Sequence, residues 1–106
     1  MTSYAVARLR DVAIGDGIVE YLERIDATLT PHRGRFVVHG GEPQLLEGTP
    51  GGDLVVLAFP SRPDALAWYH SPAYQAIVPL RTGSSSADIV LVDGVDPDHR
   101  ATDVLP

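Results

Sequence analysis

Two runs of this chain, Leu54-Val55-Val56-Leu57-Ala58-Phe59 and Ile89-Val90-Leu91-Val92, are apolar at every position. Successive side chains of an extended backbone point to opposite faces, so neither run has a side that belongs in water. Strands of this kind lie in sheets covered on both faces. With 106 residues, 44% of them hydrophobic, the chain supports one core of that sort and not two.

The remaining elements follow from local pattern. Residues 4–10, Tyr4 to Arg10, are apolar on alternate positions and read as a first strand. After Gly15-Asp16-Gly17, with Asp16 read as the N-cap, Ile18, Leu22, Ile25 and Leu29 recur at helical spacing, and Thr30-Pro31 ends that helix. Arg35 to His39 reads as the second strand, with Gln44 to Glu47 extending it beyond a bulge at Gly40-Gly41. A loop rich in turn formers, Gly48, Pro50, Gly51 and Gly52, leads into the third strand, Asp53 to Phe59. Ser61 and Ser71-Pro72 are helix starts, Pro79 is expected to end the second piece, and Asp88 to Asp93 is the last strand.

The order β-α-β-β-α-β predicts an α+β, ferredoxin-like domain with a four-stranded antiparallel sheet. It occupies residues 1–95, and the polar stretch 96–106 reads as a mobile tail. Two helices cover only one face of four strands. The simplest cover for the other face is the same face of a second copy, so a homodimer is expected.

Composition narrows the chemistry. Fourteen acids against eight bases leave a net charge of −6, which disfavours nucleic acid and anionic membranes as partners. There is no cysteine and no lysine, which removes thiolate metal sites, cysteine nucleophiles and lysine Schiff bases. His32, His39, His70 and His99 lack metal-ligand spacing, and no dinucleotide, phosphate-loop or nucleophile-elbow pattern occurs, so no cofactor and no metal are expected. No stretch approaches the roughly 20 apolar residues of a membrane span. The N-terminus lacks a basic region followed by an apolar run, and the expected location is cytoplasmic.

Strict alternation places Tyr4, Val6, Arg8 and Arg10 on one face of the first strand, and Arg35, Val37 and His39 on one face of the second. With the small residues under the helices, the opposite face gathers Tyr4, Arg8, Arg35 and His39. Arginine presents fixed donors to an oxyanion and histidine moves a proton near neutral pH, which suits an anionic or carbonyl-bearing ligand. The competing readings are arginines lying along the surface and His39 serving its turn. Trp68-Tyr69-His70-Ser71-Pro72-Ala73-Tyr74-Gln75 is the densest aromatic stretch; it either anchors the second helix or turns one ring toward a cavity.

The segments His39-Gly40-Gly41, Leu46-Glu47-Gly48, Phe59-Pro60-Ser61, Ala67-Trp68-Tyr69, Ser71-Pro72-Ala73-Tyr74-Gln75 and Leu80-Arg81 resemble the family called domain of unknown function 1330. The resemblance runs from Tyr4 to Gly94. It implies a dimeric α+β barrel, a superfamily that includes cofactor-free monooxygenases, cyclases and lactone isomerases. It also implies arginine where His39 stands and glutamate where Ala58 stands. With both on the face of Arg35, that departure reads as an ion pair lost together, leaving a roomier pocket.

Two functions are consistent with these features. One is a small cofactor-independent enzyme (a cyclase, isomerase or monooxygenase) acting on an apolar oxygenated metabolite between sheet and helices. Arg35 and His39 would be catalytic there, and Tyr4, Arg8, Trp68 and Tyr69 would bind substrate. The other is a non-catalytic homodimer that binds a ligand or stabilises a partner protein.

Overall fold

Small side chains at Ser3, Ala5 and Ala7, on one face of eight extended residues, make β1 (Ser3–Arg10) the strand that can sit closest beneath packed helices. In the computed structural model, which describes residues 1–49 and 51–106, β1 lies inside a four-stranded antiparallel sheet. The other strands are β2 (Arg35–Gly40), β3 (Asp53–Phe59) and β4 (Ser86–Asp93), in the order β2-β3-β1-β4. Helices α1 (Asp16–Leu29), α2 (Arg62–Tyr69) and α3 (Pro72–Thr82) complete the ferredoxin-like arrangement. Pro50, one of the turn formers of the loop before β3, lies outside the described residues.

The register separates two faces. Ser3, Ala5, Ala7 and Leu9 face the helices beside Phe59, Leu57, Val55 and Asp53 of β3. Tyr4, Val6 and Arg8 face away beside Ala58, Val56 and Leu54. The core forms on the first side, where Ile18, Tyr21 and Ile25 of α1 and Tyr74 and Ile77 of α3 are buried over Ala5 and Leu57. On the second side Val90 and Val92 remain 57% and 47% exposed in the single chain.

Several local expectations are corrected. Asp16 opens α1 from inside its first turn; Gly15 holds the cap position, and no side chain bonds there. Tyr21 is buried on α1 while Leu22 is 43% exposed. One step along a helix is about 100°, so an aromatic beside the apolar stripe can displace its aliphatic member from the core. The bulge of β2 falls between Phe36 and Val38 and not at Gly40-Gly41, and residues 41–46 form an irregular loop instead of a strand extension. Pro79 does not end α3, which runs on to Thr82. Proline removes one helical hydrogen bond, that to the carbonyl of Gln75. Pro79 lies on the exposed side, where water can replace that bond, while burial of Tyr74 and Ile77 holds the helix against the core.

The serine caps form as expected. Ser61 Oγ accepts from the Asp64 amide at 3.3 Å, and Ser71 Oγ from the Tyr74 amide at 3.2 Å. Gly52 enters β3 at φ +63°, and a Cβ there would stand 2.5 Å from the Leu9 carbonyl oxygen. Neighbouring Gly51 has no atom within 4 Å of the same position. Gly52→Ala is therefore expected to destabilise the fold by about 1–3 kcal/mol in urea unfolding, whereas Gly51→Ala changes it little.

Candidate functional site

Small residues on the helix side of β1 leave space above the sheet. A cavity of about 280 Å³ occupies it, floored by Ala5, Ala7, Leu9, Val55 and Leu57. Ile18, Tyr21 and Ile25 of α1 close it from above with Trp68 of α2 and Tyr74 of α3. Its rim carries Ile14, Leu22, His39, Gly40 and Asp53. All five rim residues except Gly40 are exposed.

The aromatic wall is built by mutual support. Trp68 and Tyr74 have ring centroids 4.0 Å apart, and Phe59 lies 5.3 Å from Trp68. Trp68 Nε1 donates to Thr28 Oγ1 at 3.0 Å, and that hydroxyl donates to the Ile25 carbonyl at 2.6 Å. The indole is thus fixed in orientation as it lines the cavity, so its anchoring and lining roles coexist.

The polar groups of the interior are Tyr21 and Arg81, which sequence reasoning did not select, and Tyr74, which lies in the aromatic stretch expected to turn one ring toward a cavity. Tyr21 Oη and Tyr74 Oη are 2.8 Å apart, joining α1 to α3. Tyr74, Ile77 and Arg81 are buried at spacings of three and four on one side of α3. Arg81 lines the cavity and is 7% exposed, and its Nε has no hydrogen-bond partner. None of the ion pairs among the described residues includes it. Burial pushes the Tyr21 hydroxyl far above the ordinary phenol range, Tyr74 adds to the effect, and the nearby Arg81 guanidinium partly opposes it. Tyr21 was hidden by Leu22, which fits the same helical spacing. Arg81, in the last turn of a helix, has the sequence signature of an exposed dipole partner.

The six residues selected from sequence divide between the two sheet faces. The bulge sets Arg35 beside Ala58 on the open face, but Phe36 beside Leu57 and His39 beside Val55 on the helix side. His39 stacks on Phe36, with centroids 4.4 Å apart, at the cavity rim. Arg35 and His39 therefore do not share a face, and strict alternation fails because the extra residue inverts the pattern. The same inversion places His39 and Ala58 on opposite faces, which removes the basis for a lost ion pair between them.

Tyr4 and Arg8 are on the open face, paired with Ala58 and Val92 and with Leu54 and Asp88 respectively. Arg10, not Arg8, bonds the Asp88 carboxylate, at 2.8 Å. Tyr69 is half-buried behind the wall, 6.3 Å from Trp68, and does not line the cavity. Of the six, His39 and Trp68 meet at the cavity. Among the described residues no cluster of three histidine or carboxylate ligands is present.

A family model described as a domain of unknown function, DUF1330, matches residues 2–95. Among curated proteins none matches the sequence significantly. A protein of unknown function from Rhodopseudomonas palustris superposes with a TM-score of 0.70 at 15% identity, covering 91% of this chain and 84% of that one. A dimeric ferredoxin-like protein of unknown function from Jannaschia has a TM-score of 0.57 at 15% identity, with 89% and 100% covered. SnoaB, a cofactor-independent oxygenase from Streptomyces nogalater, has a TM-score of 0.58 at 16% identity, with 93% and 98% covered. At these identities the likeness is one of fold.

The buried Tyr21 phenol makes stability depend on alkaline pH. Its folded-state pKa is raised above the unfolded value of 10.0, so its contribution is complete below that value and is lost as pH rises above it. Urea unfolding between about pH 8 and about pH 11 should show stability falling at the alkaline end. Tyr21→Phe should make that fall shallower.

Proposed function

Because the chain belongs to the DUF1330 family, whose name assigns no reaction, we propose a function from the cavity itself. The chain acts as a small cofactor-independent enzyme on an apolar, oxygen-bearing metabolite held between the sheet and the helices. The observation that carries this reading is an apolar cavity whose inner polar groups are two joined phenols and one guanidinium. Such a lining favours a hydrocarbon body bearing a few oxygens over a sugar or nucleotide. His39 at the rim is the lining's one imidazole, a side chain suited to general acid–base work. Trp68 is the wall against which a flat substrate stacks. SnoaB supports the plausibility of cofactor-free oxygen chemistry on this fold, by analogy alone.

A second reading, a non-catalytic ligand-binding or partner-stabilising homodimer, draws on one specific observation. His39 is the lining's single imidazole and is exposed, while the two interior hydroxyls are bonded to each other. Turnover decides between the two. A compound that co-purifies in the cavity should be converted by the wild type and not by His39→Ala. Conversion at an unchanged rate in the variant removes His39 from the mechanism, and binding without conversion favours the second reading.

Both readings use a dimer. The open face presents Val6, Val38, Leu54, Val56, Val90 and Val92 with no cover from this chain's helices. Its best occupant is the same face of a second copy, as the description of the Jannaschia neighbour as dimeric suggests. Native mass spectrometry should give twice the chain mass of 11.4 kDa, and Val90→Asp should return the single-chain mass by placing a charge in that contact.

A further inference from the structure

Arg81 poses a physical problem that the cavity can solve. A guanidinium stays charged at any pH a protein meets, and placing it out of water without a counter-charge is unfavourable. Arg81 is 7% exposed, its Nε is unpartnered, and it forms no ion pair among the described residues. The single carboxylate of the lining, Asp53, stands exposed where β3 begins. Beside Arg81 stands the Tyr21 hydroxyl, 2.8 Å from that of Tyr74. One of their two protons is used in the bond between them, and the other is free to be donated. The interior therefore offers donors, one of them cationic, and its acceptors are the two neutral phenol oxygens, with no anion to match the charge.

We propose that Arg81, assisted by the Tyr21–Tyr74 hydroxyl pair, binds the carboxylate of an otherwise apolar, ring-bearing acid inside the cavity. The proposal deepens the reading of the cavity as the ligand site and rests on it. A guanidinium pairs two N–H groups with the two oxygens of a carboxylate, and such charge-assisted bonds are stronger where water is excluded. The volume of about 280 Å³ is nearly twice the ~150 Å³ known to admit a benzene, which fits one substituted ring or two fused rings. Ala5 and Ala7 beneath and Trp68 and Tyr74 beside that volume would hold the ring system.

The test compares 2-naphthoate with its neutral isostere 2-naphthamide by titration calorimetry at neutral pH. The wild type should bind the acid at least about tenfold more tightly than the amide, the scale of one charge-assisted bond. Arg81→Met, which keeps the length of the side chain and removes its charge, should abolish that preference while still binding the amide. Its melting temperature should be unchanged or higher, because an unpaired buried charge has been removed. Arg81→Lys, which keeps the charge without the fork, should retain part of the preference. Equal affinity of the wild type for acid and amide would overturn the anion site and leave the cavity as a ligand site. A preference that survives Arg81→Met, or a loss of affinity for both probes alike, would also overturn the assignment. Failure of the wild type to bind either probe would overturn the cavity reading, and this inference with it.

Discussion

The structure depends on how little volume the helix side of β1 provides. β1 is paired on both edges, so any volume it lacks is missing from the middle of the core. At one end Ser3 lies opposite Phe59, whose ring packs with Trp68, and large aromatics there fill what serine leaves. Toward the other end Ala5 and Ala7 face Leu57 and Val55, and the helices do not close down onto them. Protein interiors normally close such gaps, since a void forfeits dispersion contacts. Here the Tyr21–Tyr74 bond braces α1 against α3 above the gap.

That bracing links fold to chemistry. The residues that hold the two helices together also furnish the polar lining, so the architecture and the binding properties cannot be varied independently. The hydroxyl pair is satisfied internally, as buried polar groups require, and still leaves a proton to donate. No carboxylate among the described residues pairs with the guanidinium beside it, and its Nε has no hydrogen-bond partner. A ligand that supplied the missing acceptor would stabilise the folded state as it bound. The two faces of the sheet thus differ: one encloses a cavity, and the other carries an apolar surface with no cover from this chain's helices.

Much of the architecture was legible because it rests on periodicity. Four short apolar runs and two helical stretches in the order found leave few alternatives once crossover and layer rules apply. The serine caps were equally visible, because a hydroxyl one turn before a free amide is a local signal. What sequence could not reveal was where alternation breaks. Val37 and Val38 are alike, so nothing in their chemistry marks which one the bulge leaves over, and the assignment of Arg35 and His39 to a common face failed there. Tyr21 and Arg81 were missed for the opposite reason: each has a conventional reading that only three-dimensional burial overturns. Trp68 was found because it is the sole tryptophan in an aromatic-rich stretch.

We place ligand binding on the helix side of the sheet. Amide and side-chain NMR spectra of the uniformly labelled protein, recorded with and without 2-naphthoate, test it most directly. Shifts are expected at Ala5, Ala7, Tyr21, Tyr74 and Arg81, with Tyr4, Arg8 and Arg35 unmoved. Shifts confined to Tyr4, Arg8, Arg35 and Val90 would place the site on the open face and contradict it.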